Sequence, residues 1–268
     1  MKFNLIASQG RIADKTELTI KGAALTAGAL ERRYGVKAIT VGTPSPPAQE
    51  DWRVSLSQAK ETLVALQEAI TTSVESRKLT VMVSNTCSAS LASLPVMARH
   101  YPDAILLWVD AHGDFNTPET TDTGYLGGMV LAAACGLWDS GYGAGLRPTQ
   151  VILVGARDID HAEHELLRQA GVRIIRPAAV TPEAVLQAVG EAKVWIHIDW
   201  DVLEPGHVPA DYKVAGGLLP SQIRALLTQL PADRVLGLEL AEYQVPSDNA
   251  EAQSALSTIL TIVGPLLD

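Results

Sequence analysis

The chain has 268 residues, 47% of them hydrophobic, and a formal net charge of −9. This length and composition suffice for one large α/β core as readily as for two small ones. The acidic balance and the lack of a run rich in Lys and Arg argue against a nucleic-acid partner.

The ends of the chain and its cysteines bear on location. The first residues, MKFNLIASQGRI, lack the apolar centre of a secretory signal peptide. We find no apolar stretch long enough to span a bilayer. Cys87 and Cys135 are far apart in sequence, and without a secretory signal a disulfide is not expected. We therefore expect a cytoplasmic protein with no membrane partner that acts on a small molecule.

Strand-like apolar runs alternate with helical patterns along the whole chain. The predicted strands cover residues 3–8, 36–42, 79–85, 104–111, 150–156, 172–176, 194–201 and 234–242. The predicted helices cover residues 19–35, 55–78, 89–101, 160–171, 181–192, 219–230 and 249–264. This alternation predicts a parallel sheet with helices on both faces, in one domain spanning 1–268.

The first cluster of titratable residues ends the fourth predicted strand. Asp110, His112 and Asp114 occupy alternate positions in DAHGDFN. Alternate side chains of an extended strand point to one face, so two carboxylates and an imidazole would crowd together. Such crowding at a buried strand end is costly unless a cation holds the groups together.

A second cluster ends the seventh predicted strand, where Asp199 and Asp201 alternate after His197 in WIHIDWD. The carboxyl ends of parallel strands meet at one edge of a sheet, so the two clusters can converge. Four carboxylates and an imidazole suit two divalent ions about 3.5–4 Å apart. The many oxygen ligands favour Mn²⁺ over Zn²⁺. The alternative, that polar residues simply end strands, fits one such pair better than two.

Three further features are ambiguous from the residues alone. Cys87, in VSNTCSAS, is either a soft metal ligand or a small buried residue. Either Asp158 or Asp160 can cap the following helix, which leaves the other to bind a cation such as a substrate amine. Glu239 or Glu242 could hold a guanidinium in bidentate fashion, or either could be a solvated loop acid.

The segments DAHGDFNTPE, HIDWDVLEP and ELAEYQ together resemble the arginase/agmatinase (ureohydrolase) family, and the resemblance covers nearly the whole chain. It implies a three-layer α-β-α fold around a mostly parallel eight-stranded sheet. It also implies two Mn²⁺ ions per chain and attack of a metal-bridging hydroxide on a guanidino carbon. Members often form homo-oligomers, although no interface is legible in this sequence.

The resemblance assigns metal ligands position by position. Asp110 and Asp199 resemble the bridging carboxylates. Asp114, which is also expected to act in catalysis, would complete one metal, and His112 with Asp201 would complete the other.

The resemblance also assigns substrate contacts. Glu242 resembles the acid that binds the guanidinium and takes part in catalysis. Asn116 and Thr123 match positions that hold an amino acid's carboxylate, and Asp160 matches one that holds its α-amino group. These residues favour an amino-acid substrate over agmatine.

Two positions depart from the family pattern. Cys87 stands where members have a metal-binding His, and Gly127 stands where they have a His that handles protons for the departing amine. A thiolate is a softer ligand for Mn²⁺. The missing acid should weaken arginine hydrolysis, since such a group typically contributes ~10²–10⁴-fold. Gly127→His should then raise arginine turnover.

Both departures resemble one particular member of the family, which hydrolyses Nω-hydroxy-L-arginine to hydroxyurea and L-ornithine in D-cycloserine biosynthesis. An N-hydroxyguanidine is less basic than a guanidine, so it needs less help from the missing His. Two alternatives stay open. One is a slow arginase or another hydrolase of guanidino amino acids, and the other is a non-catalytic relative that binds amino acids.

Overall fold

Eight strands form the centre of the protein in a computed structural model, which describes residues 3–268. The strands are β1 (Asn4–Ser8), β2 (Ala38–Val41), β3 (Thr80–Val83), β4 (Ile105–Val109), β5 (Val151–Val154), β6 (Arg173–Ile175), β7 (Val194–Asp199) and β8 (Val235–Ala241). They form one sheet in the order β2-β1-β3-β8-β7-β4-β5-β6, and the described strand pairs are parallel. All eight predicted strands are confirmed.

Helices cover both faces of this sheet. They are α1 (Glu17–Tyr34), α2 (Trp52–Gln58), α3 (Lys60–Glu75), α4 (Ser90–His100), α5 (Val130–Ala134), α6 (His161–Ala170), α7 (Pro182–Val189), α8 (Pro220–Gln229) and α9 (Asn249–Leu267). The three-layer α/β architecture is therefore confirmed. The helix predicted over 55–78 is in fact two helices that meet at Ala59, and the first begins at Trp52 because the Asp51 side chain caps it.

Two buried clusters fill the spaces between the sheet and its helical layers. Alternate strand residues enter different clusters: Leu107 and Val109 pack on the side of α1, α7, α8 and α9, whereas Leu106 and Trp108 pack on the side of α3, α4 and α5. The strands are apolar on both faces for this reason, which explains why they read as continuous hydrophobic runs.

One helix among the described residues, α9, is long and apolar enough to cross a membrane by length and composition alone. The expectation that no stretch reaches that length is wrong for α9. Half of the helix is buried, and it packs against α1 and α8. A core helix of this kind passes the same test as a membrane span.

The order of the strands decides where side chains can meet. Four neighbouring strands, β3, β8, β7 and β4, occupy the middle of the sheet, with β5 beside them. The residues that follow these five strands at their carboxyl ends include Cys87, Glu242, Asp201, Asp110 and Asp160. Every predicted site motif is thus delivered to one edge of one sheet.

Candidate active site

The two predicted acidic clusters lie side by side because β4 and β7 are neighbours. Val109 is in register with Ile198, so the residues that follow them, Asp110 and Asp199, leave the sheet together. Both carboxylates are buried. The two acidic clusters therefore converge in the structure, as the sequence predicts.

His112 joins the clusters. Its Nδ1 atom lies 3.0 Å from Oδ2 of Asp201 and 3.3 Å from Oδ1 of Asp110. The backbone N–H of His112 donates to Asp110 Oδ1 at 2.7 Å, and Trp108 Nε1 donates to Asp110 Oδ2 at 2.9 Å. A single imidazole nitrogen therefore faces two carboxylates that are themselves held by the surrounding protein.

The buried carboxylates repel one another. Burial and the charge of Asp110 raise the pKa of Asp114 well above its usual range, and burial and Asp201 do the same for Asp199. Burial and Asp110 raise the pKa of Asp201 to about 6. Burial also opposes ionisation of Asp110, but hydrogen bonds from His112 leave its pKa lowered. Without a cation these groups cannot all be ionised at neutral pH, so the cluster is suited to positive charge.

Asp114 has a free acceptor. Its Oδ2 atom is buried and has no hydrogen-bond partner in the described protein. The residue is also strained, with φ of 47°, which costs a non-glycine residue about 1–3 kcal/mol. A buried acceptor without a partner, held at such a cost, is typical of a functional group.

Glu163 holds the loop that carries Asp114. Its Oε1 atom accepts a hydrogen bond of 2.7 Å from the backbone N–H of Phe115. A Cβ on Gly113 would lie 2.7 Å from the Glu163 carboxylate carbon, so a side chain there would require that carboxylate to shift. Burial raises the pKa of Glu163 to about 7. Sequence reasoning missed this residue, since it occurs within an ordinary helical pattern.

Cys87 is buried at the edge of the acidic cluster. Its Sγ atom lies 3.2 Å from Oδ2 of Asp199 and 3.3 Å from Nε2 of His197. Burial and then the charge of Asp199 raise the pKa of the thiol well above its usual range. A thiolate at this position would therefore need a bound cation.

Potential ligand atoms in the described chain come within 4.8 Å of one another in three groups. The groups are Cys87, Asp110 and His197; Cys87, Asp199 and Glu242; and Asp110, His112 and Asp201. Asp114 is outside all three, although it faces the same cavity. The donors, mostly carboxylates with one thiol and imidazole nitrogens, fit divalent cations.

A buried network lies behind Cys87. Nδ1 of His197 is 2.9 Å from Oε2 of Glu239, while Trp195 Nε1 donates to Glu239 Oε1 at 2.7 Å. Ser90 and Ser93 donate to the same carboxylate. Neither interpretation of Glu239 offered by the sequence is correct, because it is wholly buried and these partners surround it.

Glu242, which belongs to one of the three ligand groups, is the second strained carboxylate, with φ of 66°. Its Oε1 atom accepts hydrogen bonds from the Cys87 N–H at 3.0 Å and from the Tyr125 hydroxyl at 3.2 Å. These two bonds occupy Oε1, so Oε2 is the oxygen left for a guanidine. Bidentate binding, as first considered, would require one of these bonds to be given up. Burial raises the pKa of Glu242 to about 8.

These groups line a cavity of about 200 Å³. The predicted site residues on its wall are Cys87, His112, Asp114, Asn116, Thr123, Asp160, Asp199, Asp201 and Glu242. Asp110 lies beneath them, in contact with His112. The cavity therefore brings the predicted metal-binding and substrate-binding residues together.

The mouth of the cavity carries the polar residues expected for an amino acid. Asp160 precedes α6 but makes no side-chain capping bond, so its exposed carboxylate is available to a ligand. Asp158, the other candidate, lies 3.8 Å from Nε2 of His112. Asn116 is buried and its Oδ1 accepts a hydrogen bond from Thr120, which leaves its amide NH₂ to donate.

Comparisons with known proteins agree with this geometry. The model of the arginase family matches residues 23–263. The chain is 62% identical over 266 residues to the Nω-hydroxy-L-arginine amidinohydrolase of Streptomyces lavendulae, covering 99% of this chain and 97% of that protein. It is 27% identical over 230 residues to the arginase of Bacillus caldovelox, covering 80% of this chain and 70% of that one.

Solved structures show the same fold. The crystal structure of arginase from Bacillus subtilis superimposes with a TM-score of 0.85 at 20% identity, covering 100% of this chain and 98% of that one. The proclavaminate amidino hydrolase of Streptomyces clavuligerus gives 0.73 at 18% identity, with 99% and 91% covered. From the matched residues and the fold together, this chain belongs to the arginase family.

Proposed function

We propose that this protein is a metal-dependent amidinohydrolase that converts Nω-hydroxy-L-arginine and water to hydroxyurea and L-ornithine. The observation that carries the proposal is the 62% identity, over 99% of this chain, to an enzyme named for that reaction. The cavity agrees with it, since carboxylates for a metal and polar groups for an amino acid line the same space.

The residues present would hold two divalent ions. Cys87, Asp110, His112, Asp199 and Asp201 supply the converging donor atoms, and the unpartnered Oδ2 of Asp114 supplies a sixth. When bound, the ions supply Lewis acidity and an activated water at neutral pH. We propose Mn²⁺ for both, because oxygen donors predominate.

The protein's own residues orient the substrate. The carboxylate of Asp160 pairs with the α-amino group, while Asn116 and Thr123 donate to the α-carboxylate. Oε2 of Glu242 accepts from an N–H of the guanidino group. Holding the two ends in this way directs the guanidino carbon towards the acidic cluster.

Asp114 handles the proton. The reaction forms a bond between the water oxygen and the guanidino carbon, and it breaks the bond from that carbon to the δ-nitrogen. The water oxygen becomes the carbonyl oxygen of hydroxyurea, so the water gives up both protons. One goes to the departing ornithine amine and the other to the hydroxyimino nitrogen of the neutral substrate. The Asp114 carboxylate oxygen that does not bind metal is the group that can accept the first proton and return it.

The test is ornithine release by Mn²⁺-loaded protein, with L-arginine and Nω-hydroxy-L-arginine compared side by side. We expect a strong preference for the hydroxylated substrate, with hydroxyurea as co-product. Equal or better turnover of arginine would assign the protein as an arginase instead. Bound metal with no turnover of either would favour another guanidino amino acid, and no metal and no turnover would favour a non-catalytic amino-acid-binding protein.

Two variants, one in the site and one on the surface, show whether the measured activity comes from this site. Asp114→Asn should lose activity about 10²-fold or more, as expected for a proton-transferring group. Asp233→Asn changes an exposed acid two residues before β8, at the opposite edge of the sheet, and should keep wild-type activity.

We further propose that the chain acts as one catalytic domain in the cytoplasm. Homo-oligomer formation and a role in D-cycloserine biosynthesis stay predictions.

A further inference from the structure

Gly127 and Gly128 differ in the room they leave for a side chain. Both lie in a short 3₁₀ helix, Gly127–Met129, and neither has the left-handed φ that demands glycine. A Cβ on Gly127 would lie 2.4 Å from Cε1 and 2.9 Å from Cζ of Tyr125. A Cβ on Gly128 would have nothing within 4 Å. A side chain at position 127 would therefore require the Tyr125 ring to move, whereas one at position 128 would not.

The ring that would have to move is held at two points. Its hydroxyl donates to Oε1 of Glu242 at 3.2 Å. Nζ of Lys15 lies 4.4 Å from the ring centroid, a cation–π contact, and the same Nζ lies 3.1 Å from the Tyr212 hydroxyl. Rotating Tyr125 away would break its contacts with both Glu242 and Lys15.

We propose that Tyr125 is a specificity-determining residue, whose ring takes the space of a side chain at position 127 and whose hydroxyl holds Glu242 in place. This inference rests on the proposed function, because it concerns which guanidino substrate the cavity accepts. The cavity can hold either the Tyr125 ring in its present position or a proton-donating side chain such as His at position 127, but not both. The ring therefore restricts the protein to substrates that need no such acid.

The chemistry of the two guanidines fits this restriction. An N-hydroxyguanidine is less basic than the guanidine of arginine, so more of it is neutral at pH 7. Its hydrolysis depends less on an added proton donor than that of arginine.

A single methyl group tests the steric part of the proposal. Gly127→Ala should lower the melting temperature and reduce kcat/KM for Nω-hydroxy-L-arginine about tenfold or more, because the added Cβ displaces Tyr125. The matched control, Gly128→Ala, should stay within about twofold of wild type. In a Tyr125→Ala background the cost of Gly127→Ala should disappear. Equal effects of the two alanines, or an unchanged cost without Tyr125, would overturn the proposal.

A second set of single and double variants, at positions 125 and 127, tests substrate specificity. Gly127→His alone should give no gain in arginine hydrolysis, in contrast to the simple expectation from sequence. Combined with Tyr125→Ala, it should raise the ratio of kcat/KM for arginine to that for Nω-hydroxy-L-arginine at least tenfold over Tyr125→Ala alone, since a positioned acid contributes ~10²–10⁴-fold. A gain from the single Gly127→His variant, or none from the pair, would contradict mutual exclusion.

The hydroxyl is tested separately by Tyr125→Phe, which keeps the ring. Loss of one hydrogen bond to a carboxylate should raise KM about tenfold and leave kcat within about threefold. An unchanged KM would remove Glu242 from the proposal. If the wild-type protein hydrolyses neither substrate, the proposed function fails, whereas the melting temperatures of the alanine cycle still decide whether Tyr125 and position 127 compete.

Discussion

Nε2 of His197 lies 3.3 Å from Sγ of Cys87, while Nδ1 of the same ring lies 2.9 Å from the Glu239 carboxylate. The imidazole is also stacked on Trp108, with ring centroids 3.6 Å apart. Contacts with Cys87, Glu239 and Trp108 therefore fix the position of the imidazole ring. His197 in turn holds the thiol of Cys87, the proposed metal ligand, in one orientation. This is the usual role of residues behind a metal ligand.

Glu239 should be essential to stability. Glu239→Ala leaves at least two buried donors without a partner, each at a cost of about 1–3 kcal/mol, so we expect a loss of at least about 2 kcal/mol. Urea denaturation measures it. Glu165→Ala removes an exposed ion pair with Arg168 and should leave the midpoint unchanged. A loss below 1 kcal/mol for Glu239→Ala would contradict the importance of the network.

The two cysteines should behave differently towards metal. Co²⁺-loaded wild-type protein should show a sulfur-to-metal charge-transfer band, because a coordinating thiol is deprotonated. Cys87→Ala should abolish the band and lower the metal content. Cys135→Ala, which changes a half-buried thiol outside the ligand groups, should preserve both. A band that survives Cys87→Ala would rule out this ligand.

Glu163 should make the metal-free protein less stable as pH rises. Because burial raises its pKa from 4.5 to about 7, folding favours the protonated acid. Its stabilising contribution is full below about pH 4.5 and is lost as pH rises through about 7, by about 3 kcal/mol at most. Chemical denaturation in EDTA at pH 5 and pH 8 should show a smaller change for Glu163→Gln than for wild type. Identical pH dependence would refute this assignment.

Asp160 should recognise the amino group of the substrate. Asp160→Asn removes the charge but keeps the shape, so KM for Nω-hydroxy-L-arginine should rise about tenfold with little change in kcat. Steady-state kinetics check this, with Asp233→Asn as the control for a general loss of negative charge. A fall in kcat at unchanged KM would place Asp160 in the chemical step instead.

The sequence was sufficient for the strands and for the acidic motifs, because both depend on local periodicity. Alternation placed Asp110, His112 and Asp114 on one face, and the parallel arrangement brought them to Asp199 and Asp201. Local patterns determine these features even when the strand order is unknown.

The other contacts depend on strand order, which a single sequence does not contain. His197 is in register with Trp108 on one neighbouring strand and with Glu239 on the other, and this row exists only because β7 lies between β4 and β8. The collision of Tyr125 with a side chain at 127 depends on how a short 3₁₀ helix turns. No residue pattern predicts either the row of Trp108, His197 and Glu239 or the contact of Tyr125 with position 127.

The left-handed backbone of Asp114 and Glu242 has a consequence for protein engineering. At both positions glycine would relax the chain and remove the essential carboxylate in one step. A selection for heat resistance alone would therefore accept substitutions there that destroy the site. Directed evolution of this protein should screen for product at every round, since its most heat-resistant descendants would otherwise include inactive ones.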